Sequence, residues 1–302
     1  MKRQPCVTRK MHADEVDTDA SLVRRLLSAQ FPQWADLPIE RVKSAGTDNA
    51  IYRLGDGMAV RMPRIHWATG ATSKDQWLPK LAPRLTLAIP VPIARGTPGE
   101  DYPWDWSVVS WVEGEIATIE RITDLHQAAT DLAQFATALH RINLQGGPPA
   151  TRGVPLTTRD EPVRDAIASL HGRLDTDAVT AAWEAALRAP LWDGPPVWVH
   201  GDLYDGNLIA REGRLHAVID WCGLGMGDPA CDLVAAWSLF SGESREVFRA
   251  EISVDDATWA RGRGWALSVA LIALPYYEHT NPVIVANSWH KLAEVLADQG
   301  RD

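Results

Sequence analysis

Three oxygen-bearing side chains lie near one another in the second half of the 302-residue chain. Asp202 and Asn207 belong to the segment His-Gly-Asp-Leu-Tyr-Asp-Gly-Asn, and Asp220 belongs to Val-Ile-Asp-Trp. An acidic residue, an Asn five positions later and a second Asp after a short hairpin are the residue types that phosphoryl transfer uses. Asp202 could accept the proton of an attacking hydroxyl group, and Asn207 and Asp220 could hold Mg²⁺, which prefers oxygen ligands.

A hairpin between these residues is predicted to bring them together. If Glu212 and Gly213 form a two-residue turn between two short strands, Asn207 lies opposite Val218 and Asp220 shares the face of Asn207. Such diagonal neighbours lie about 7–8 Å apart, a distance that one or two metal ions could bridge. A loop with one more residue would put the two side chains on opposite faces, so the prediction depends on this turn.

Three residues around the segment are predicted to support it rather than to react. His200 stands beside Asp202, which is the better base, and is expected to brace the loop by hydrogen bonds. Asp228 is placed to cap a helix that begins at Pro229, because Pro is common at the first helical position. Asp232 is expected to be a second carboxylate that braces the loop. An isolated His-Gly-Asp is more often structural than functional, so the hypothesis rests on the whole set of residues.

The residues up to 110 are typical of a small mixed lobe. Thr18 or Asp19 can cap a first helix with Leu22, Leu26 and Leu27 on one face. Further along, residues 49–54 and 58–62 flank Gly-Asp-Gly, a strong hairpin signal. The remaining predicted elements are a helical stretch near 72–81, an edge strand or irregular segment at 87–94 interrupted by Pro90 and Pro92, and a strand at 106–112.

The residues from 111 onward are typical of a larger, mostly helical lobe. Thr123 is predicted to cap a helix that ends before Gly146. Further helices are predicted at 163–171, 177–189, 229–240, 258–276 and 282–299, with one β-rich stretch at 197–221. We therefore predict an α+β fold of two lobes, 1–110 with an antiparallel sheet and 111–302 mainly helical.

Composition and charge restrict the class of protein. Apolar residues make up 46% and charged residues 23%, as in ordinary globular proteins. The net charge of −9 argues against nucleic acid as a partner, because phosphate backbones attract basic surfaces. Three cysteines without a Cys-x-x-Cys favour neither a disulfide framework nor a zinc site. Neither a signal peptide nor a membrane span is indicated, so we expect a soluble, cytoplasmic protein.

The motifs together resemble those of a known enzyme family. The patterns His-Gly-Asp-Leu-x-x-x-Asn, Ile-Asp-Trp and Gly-Asp-Pro-Ala-x-Asp-Leu are similar to those of the aminoglycoside phosphotransferases, which are protein-kinase-like enzymes. The resemblance covers roughly residues 22–296. It implies a two-lobed kinase fold that binds ATP or GTP with Mg²⁺ in the cleft and phosphorylates a small-molecule hydroxyl. It also implies that Asp202 is the catalytic base and that Asn207 and Asp220 are the metal ligands.

The small lobe is then expected to bind the nucleotide. A turn formed by Gly46, Thr47, Asp48 and Asn49 could bring backbone N–H groups to a phosphate, although an ordinary hairpin has the same pattern. Arg61 takes the place of the usual Lys, and its planar fork suits a phosphate.

The partner of that cation departs from the family pattern. Lys74 stands where a helix Glu is expected, so either the neighbouring Asp75 substitutes or Arg61 is held in another way. By resemblance alone, Ser110, Trp111 and Val112 form the hinge that reads the adenine edge.

The acceptor is the least defined part of the hypothesis. Residues 111–302 carry 15 basic and 27 acidic groups, which could attract a polycationic aminoglycoside. The candidate carboxylates are Asp205, Glu243, Glu246, Asp255, Asp256 and Glu278. Alternatives are a macrolide or a metabolite alcohol, a catalytically silent nucleotide-binding regulator, and a hydrolase that uses His200 and Asp202 as metal ligands.

Overall fold

A computed structural model of the chain describes residues 14–43, 46–70 and 74–299. Its buried apolar side chains form two separate clusters. The smaller cluster joins one helix to one sheet near the N terminus, and the larger one fills the helical remainder. The predicted two-lobed α+β architecture is confirmed. The described residues do not include Cys6, the basic residues at the N terminus or the start of the helix predicted near 72–81.

The small lobe is built on a five-stranded antiparallel sheet with the order β1–β2–β3–β5–β4. The strands are β1 (Ile39–Arg41), β2 (Asn49–Leu54), β3 (Met58–Pro63), β4 (Pro92–Gly96) and β5 (Trp106–Ser110). Gly55 has a φ of +58° in the turn between β2 and β3, as the Gly-Asp-Gly signal predicted. The Pro-interrupted segment supplies β4, which lies at the sheet edge because Pro lacks a ladder donor.

In the part of the small lobe that the structure describes, one helix packs on this sheet. It is α1 (Ala20–Gln30), and Asp19 caps it by accepting from the N–H of Leu22 at 2.7 Å. Leu22, Leu26 and Leu27 are buried and belong to the same cluster as Trp106. The predicted cap and apolar face of this helix are therefore confirmed.

The connection between the sheet and the large lobe packs into the larger cluster. It contains a 3₁₀ turn at Asp75–Trp77 and the one-turn helix α2 (Leu78–Leu81), instead of a continuous helix to residue 81. Pro79, at the second position of α2, removes a backbone donor and stops helical bonds from running through from the preceding turn. Ala88 also exchanges backbone hydrogen bonds with His216 and Val218. The division at residue 110 stays a prediction.

Over residues 111–299, seven further helices form most of the large lobe. They are α3 (Leu125–His140), α4 (Asp160–Ser169), α5 (Thr176–Arg188), α6 (Ala235–Ser238), α7 (Gly242–Ile252), α8 (Asp256–Tyr277) and α9 (Pro282–Gln299). The segment Pro229–Val234 is 3₁₀ rather than α-helical, so the prediction of one helix over 229–240 is wrong. All six of its residues are buried. The segment therefore has no exposed polar face whose spacing could predict the type of helix. The helix α7 was not predicted.

Short strands carry the rest of the large lobe. They are β6 (Glu115–Ile116), β7 (Val197–Val199), β8 (Leu208–Arg211), β9 (Arg214–Val218) and β10 (Gly225–Gly227). β6, β8 and β9 form one sheet, and β7 pairs with β10. Among the described residues, we find no helix that is long and apolar enough to cross a bilayer.

The N-cap of α3 is Asp124 and not Thr123. The carboxylate of Asp124 accepts from the N–H groups of His126 and Gln127, both at 3.0 Å. Thr123 instead donates its hydroxyl to the carbonyl of Gly213, at 3.0 Å. Both residue types can cap a helix, and the contact with the distant hairpin decides between them.

We expect Asp124→Ala to lower the free energy of unfolding by about 1 kcal/mol, because two N–H groups at the start of α3 lose their acceptor. Urea unfolding measures this change. Asp165→Ala, at an exposed site within α4, is the control and should shift stability by less than about 0.5 kcal/mol. An equal effect of the two variants would contradict the capping role.

Candidate active site

The buried carboxylate of Asp232 organises the segment that carries Asp202. It accepts from the backbone N–H of His200 at 2.9 Å and from that of Gly201 at 2.8 Å, and His140 Nε2 lies 3.1 Å away. Burial opposes the charged form, but the hydrogen bond and charge of His140, with help from His200 and Gly201, hold the pKa of this carboxyl below its usual value. Asp232 thus fixes the backbone immediately before Asp202.

Both ring nitrogens of His200 are already used. Nε2 lies 3.0 Å from the carbonyl oxygen of Ile219, and Nδ1 accepts from the N–H of Asp202 at 3.2 Å. The residue is fully buried. A metal could reach this ring only by displacing one of these bonds, so the hydrolase alternative has no support here.

Asp202 and Asn207 are in direct contact. The amide nitrogen of Asn207 donates to the backbone carbonyl of Asp202 at 2.9 Å and to its carboxylate at 3.2 Å. The amide oxygen of Asn207 is then the atom that a cation can use. Arg152 forms an ion pair with the other carboxylate oxygen of Asp202 and donates to the carbonyl of Gly201.

The hairpin after Asn207 has the predicted turn but a different register. Glu212 and Gly213 both have positive φ, of 53° and 78°, as a two-residue turn requires. A bulge near Ile209 then shifts the pairing, so Val218 lies opposite Leu208 instead of Asn207. The face-sharing argument for Asp220 is therefore wrong.

Asp220 reaches the site by its backbone conformation. It follows β9 with φ 60° and ψ 71°, in the left-handed region that a non-glycine residue occupies at a cost of about 1–3 kcal/mol. The preceding residue, Ile219, donates its N–H to the carbonyl of Asn207 at 2.9 Å, which keeps the two segments together. The side chains of Asp220 and Asn207 consequently line the same cavity.

A cavity of about 590 Å³ collects the predicted groups from both lobes. This volume is in the range of small-molecule sites. Its lining includes the predicted residues Gly46, Thr47, Asn49, Arg61, Ser110, Trp111, Val112, Asp202, Asn207 and Asp220. A second depression, of about 870 Å³, lies open on α1 and is lined by none of them.

Arg61 is held by Asp75. Nη2 of Arg61 lies 2.6 and 2.7 Å from the two carboxylate oxygens, and both side chains are about one-tenth exposed. Asp75 therefore takes the place of the expected helix Glu. Lys74 instead donates to the carbonyl of Cys222 at 2.7 Å. Nε of Arg61 is buried without a partner among the described residues, which leaves a donor for a phosphate oxygen.

The predicted phosphate turn and the predicted hinge both contribute residues to the cavity wall. Unlike the other three residues of the turn, Asp48 does not line the cavity. Its carboxylate accepts a hydrogen bond from Trp67 Nε1 at 3.2 Å. In the hinge, the N–H of Trp111 donates to Gly57, at 2.9 Å. The N–H of Val112 has no partner in the part of the chain that the structure describes, so it can serve a base edge.

Comparison with known proteins identifies the family. A family model described as the phosphotransferase enzyme family matches residues 40–265. The chain belongs to this phosphotransferase family. The resemblance noted in the sequence is confirmed. A search of curated protein sequences found no match.

Solved structures show the same fold. The GDP complex of an aminoglycoside 2'-phosphotransferase-IIIa has a TM-score of 0.74 at 18% identity, covering 93% of this chain and 100% of the other. An ADP-bound aminoglycoside phosphotransferase has 0.61 at 18%, covering 92% and 99%. A type I macrolide 2'-phosphotransferase has 0.61 at 19%, covering 93% and 98%. At these identities the likeness shows the two-lobed, kinase-like fold.

The carboxylates predicted to bind the acceptor are not on the cavity wall of this phosphotransferase. Glu243 is exposed near His126, Glu246 is exposed on α7, and Glu278 pairs with Arg173 at 2.7 Å. Asp255 caps α8, and Asp256 pairs with Arg249. Asp205 accepts a hydrogen bond from Asn287 at 3.2 Å. Sequence charge alone could not place these groups, because acidic residues on helices are usually solvated.

Sequence reasoning missed Arg152, Tyr277 and Lys291, which all line the cavity. Arg152 lies in a loop between α3 and α4 that is fastened to β10, where Ala150 donates to Met226 at 3.0 Å. Tyr277 and Lys291 lie on the last two helices. No motif marks any of them, so only the folded chain reveals them.

We expect Asp75→Ala to lower the free energy of unfolding by about 3 kcal/mol, because Arg61 would be left buried without its counter-charge. The affinity for nucleotide should fall as well, since the guanidinium loses its orientation. Urea unfolding and nucleotide titration measure the two effects. Asp56→Ala, at the exposed β2–β3 turn, is the control. Unchanged nucleotide affinity in a folded Asp75→Ala protein would contradict the role assigned to the pair.

Proposed function

We propose that this phosphotransferase moves the γ-phosphoryl group of ATP or GTP to a hydroxyl of a small molecule. The observation that carries the proposal is the convergence of Asp202, Asn207 and Asp220 with Arg61 in one cavity between the lobes. The relatives' complexes with GDP and ADP support a nucleotide in this cleft. An aminoglycoside or a macrolide is the acceptor that the relatives suggest.

The donor set fits Mg²⁺. Among residues 14–43, 46–70 and 74–299, no three His, Cys, Asp or Glu side chains come together as a metal site. Mg²⁺ is usually held by one or two carboxylates together with water and substrate phosphates, so a carboxylate and an amide suffice. Asp220 and Asn207 would hold the ion, which would neutralise charge on the phosphates.

Residues of this chain would bind the phosphates, accept the proton and orient the base. Arg61, fixed by Asp75, would donate to phosphate oxygens of the nucleotide. Asp202 would accept the proton of the acceptor hydroxyl. The hydroxyl oxygen would then form a bond to the γ-phosphorus, and the bond between the γ-phosphorus and the β-phosphate oxygen would break. Asn207 and Arg152 hold the Asp202 carboxylate in orientation. Positioning and charge neutralisation account for most catalysis of phosphoryl transfer.

The silent-regulator alternative loses its main argument. It rested on the missing helix Glu, and the bidentate contact between Asp75 and Arg61 fills that role. Phosphoryl transfer also needs an acidic residue, an amide and a second acidic residue. Asp202, Asn207 and Asp220 are of these types and line the cavity. We therefore favour an active enzyme.

Asp202→Asn should lower turnover by about 10²- to 10⁴-fold, because an amide cannot take the hydroxyl proton. Nucleotide affinity should stay close to that of the wild type. Release of nucleoside diphosphate, measured over a panel of aminoglycosides, macrolides and simple alcohols with ATP and with GTP, tests the loss. Glu243→Gln, far from the cavity wall, is the control and should behave like the wild type. Full turnover by Asp202→Asn would remove this residue from the base role.

Asp220→Ala should abolish the gain in nucleotide affinity that Mg²⁺ gives, since a carboxylate ligand of the ion is lost. The control is a titration of the same variant with nucleotide in the presence of a chelator. Without Mg²⁺, its nucleotide affinity should equal that of the wild type. If Mg²⁺ strengthens nucleotide binding to Asp220→Ala as much as to the wild type, Asp220 is not a ligand.

A further inference from the structure

Lys291 is a buried cation on the cavity wall whose ammonium contacts an aromatic ring but pairs with no polar group of the described residues. It lies on α9, lines the cavity and is 3% exposed. Its ammonium lies 4.9 Å from the ring centroid of Tyr204. Within the described residues, the ammonium has neither a hydrogen bond nor an ion pair. An ammonium carries three donors, so a buried one that faces a cavity is suited to an anionic ligand.

Burial and nearby carboxylates act on the charge of this lysine in opposite directions. Burial lowers the pKa of Lys291 below its usual value, and the carboxylates of Asp205 and Asp202 offset part of this shift. Asp205 is held in place by Ser238, which accepts from its backbone N–H, and by Asn287. Two carboxylates near the ammonium but outside ion-pair distance stabilise its charge and leave its donors available.

Lys291 belongs to the acceptor side of the cavity rather than to the nucleotide side. Its ammonium lies against the ring of Tyr204, two residues after Asp202, and Asn287, one turn earlier on α9, donates to Asp205 at 3.2 Å. Arg61 belongs to strand β3 of the small lobe, whereas Lys291 and Arg152 belong to the large lobe, as Asp202 does. A ligand group bound at Lys291 would lie beside the hydroxyl that Asp202 deprotonates.

The wall around Lys291 does not suit a polycation. Arg152 is a second cation there, and the neighbouring lining residues include the apolar Val269, Val283 and Ile284. Asp202 is already paired with Arg152. A polycationic acceptor would meet two cations here, Lys291 and Arg152. Of the other carboxylates on the described wall, Asp220 is the proposed Mg²⁺ ligand and Glu115 pairs with Arg121 at 3.4 Å.

We propose that the acceptor alcohol carries a carboxylate or another anionic group, which binds the ammonium of Lys291 with Arg152 beside it. This inference rests on the proposed function, since it assigns the acceptor class of the same cleft. It replaces the aminoglycoside with an anionic alcohol as the favoured acceptor.

Three six-carbon alcohols that differ only at one end test the inference. D-gluconate ends in a carboxylate, D-glucitol in an alcohol, and 1-amino-1-deoxy-D-glucitol in an ammonium. Calorimetric titration of the wild-type protein, with and without Mg²⁺ and a non-hydrolysable nucleotide analogue, should give gluconate the highest affinity. A charge-assisted contact predicts a preference for gluconate over glucitol of about 10- to 100-fold.

Variants at residue 291 show whether the preference arises there. Lys291→Met should remove the gluconate preference and leave glucitol binding unchanged, while Lys291→Arg should retain it. Lys80→Met, at an exposed lysine outside the cavity, is the control and should bind all three probes like the wild type. Thermal unfolding confirms that each variant is folded, and Lys291→Arg tests the inference if Lys291→Met does not fold.

Several outcomes would overturn the inference. Equal binding of the three probes, tighter binding of the ammonium probe, or no binding of gluconate would each do so. Weaker nucleotide binding by Lys291→Met with unchanged gluconate binding would assign the lysine to the nucleotide phosphates instead. Failure of the proposed function gives a different result: the wild type would bind no Mg²⁺–nucleotide, while the titrations without nucleotide would still rank the probes.

Discussion

The active-site segment depends on one buried carboxylate, that of Asp232. A charge in the interior is costly unless hydrogen bonds and counter-charges satisfy it. Here two consecutive backbone N–H groups, those of His200 and Gly201, donate to it, and His140 lies alongside. Any movement of the segment would leave a buried charge unsatisfied. The backbone before Asp202 is therefore rigid, which is what catalysis by positioning requires.

Close backbone contacts extend this rigidity to the rest of the cleft. A Cβ on Gly201, whose φ is +78°, would come within 2.6 Å of the Gly223 carbonyl oxygen. A Cβ on Gly225 would come within 2.5 Å of Ala150. Glycine at these two positions lets the loop that carries Arg152 pack against the segment that follows Asp220. The ion pair between Arg152 and Asp202 thus depends on residues that have no side chains.

The sequence predicted the features that depend only on residues close together in the chain. The Glu212-Gly213 turn, the cap of α1 and the helix at 282–299 follow from backbone preferences and periodicity, and the structure has them. The bulge near Ile209 and the choice of Asp124 as a cap depend on contacts with distant segments. Net charge likewise does not show which charged side chains face the cavity. The six candidate carboxylates lie outside the described cavity wall, whereas Lys291 is part of it.

The two lobes also contact each other at the cavity. Tyr277, at the end of α8, donates its hydroxyl to that of Thr47 in the predicted phosphate turn at 3.2 Å. Lys74, next to the partner of Arg61, donates to the carbonyl of Cys222 just after Asp220. A ligand that binds in the cleft can therefore act on contacts that join the two lobes, and it favours the arrangement of the lobes to which it binds best.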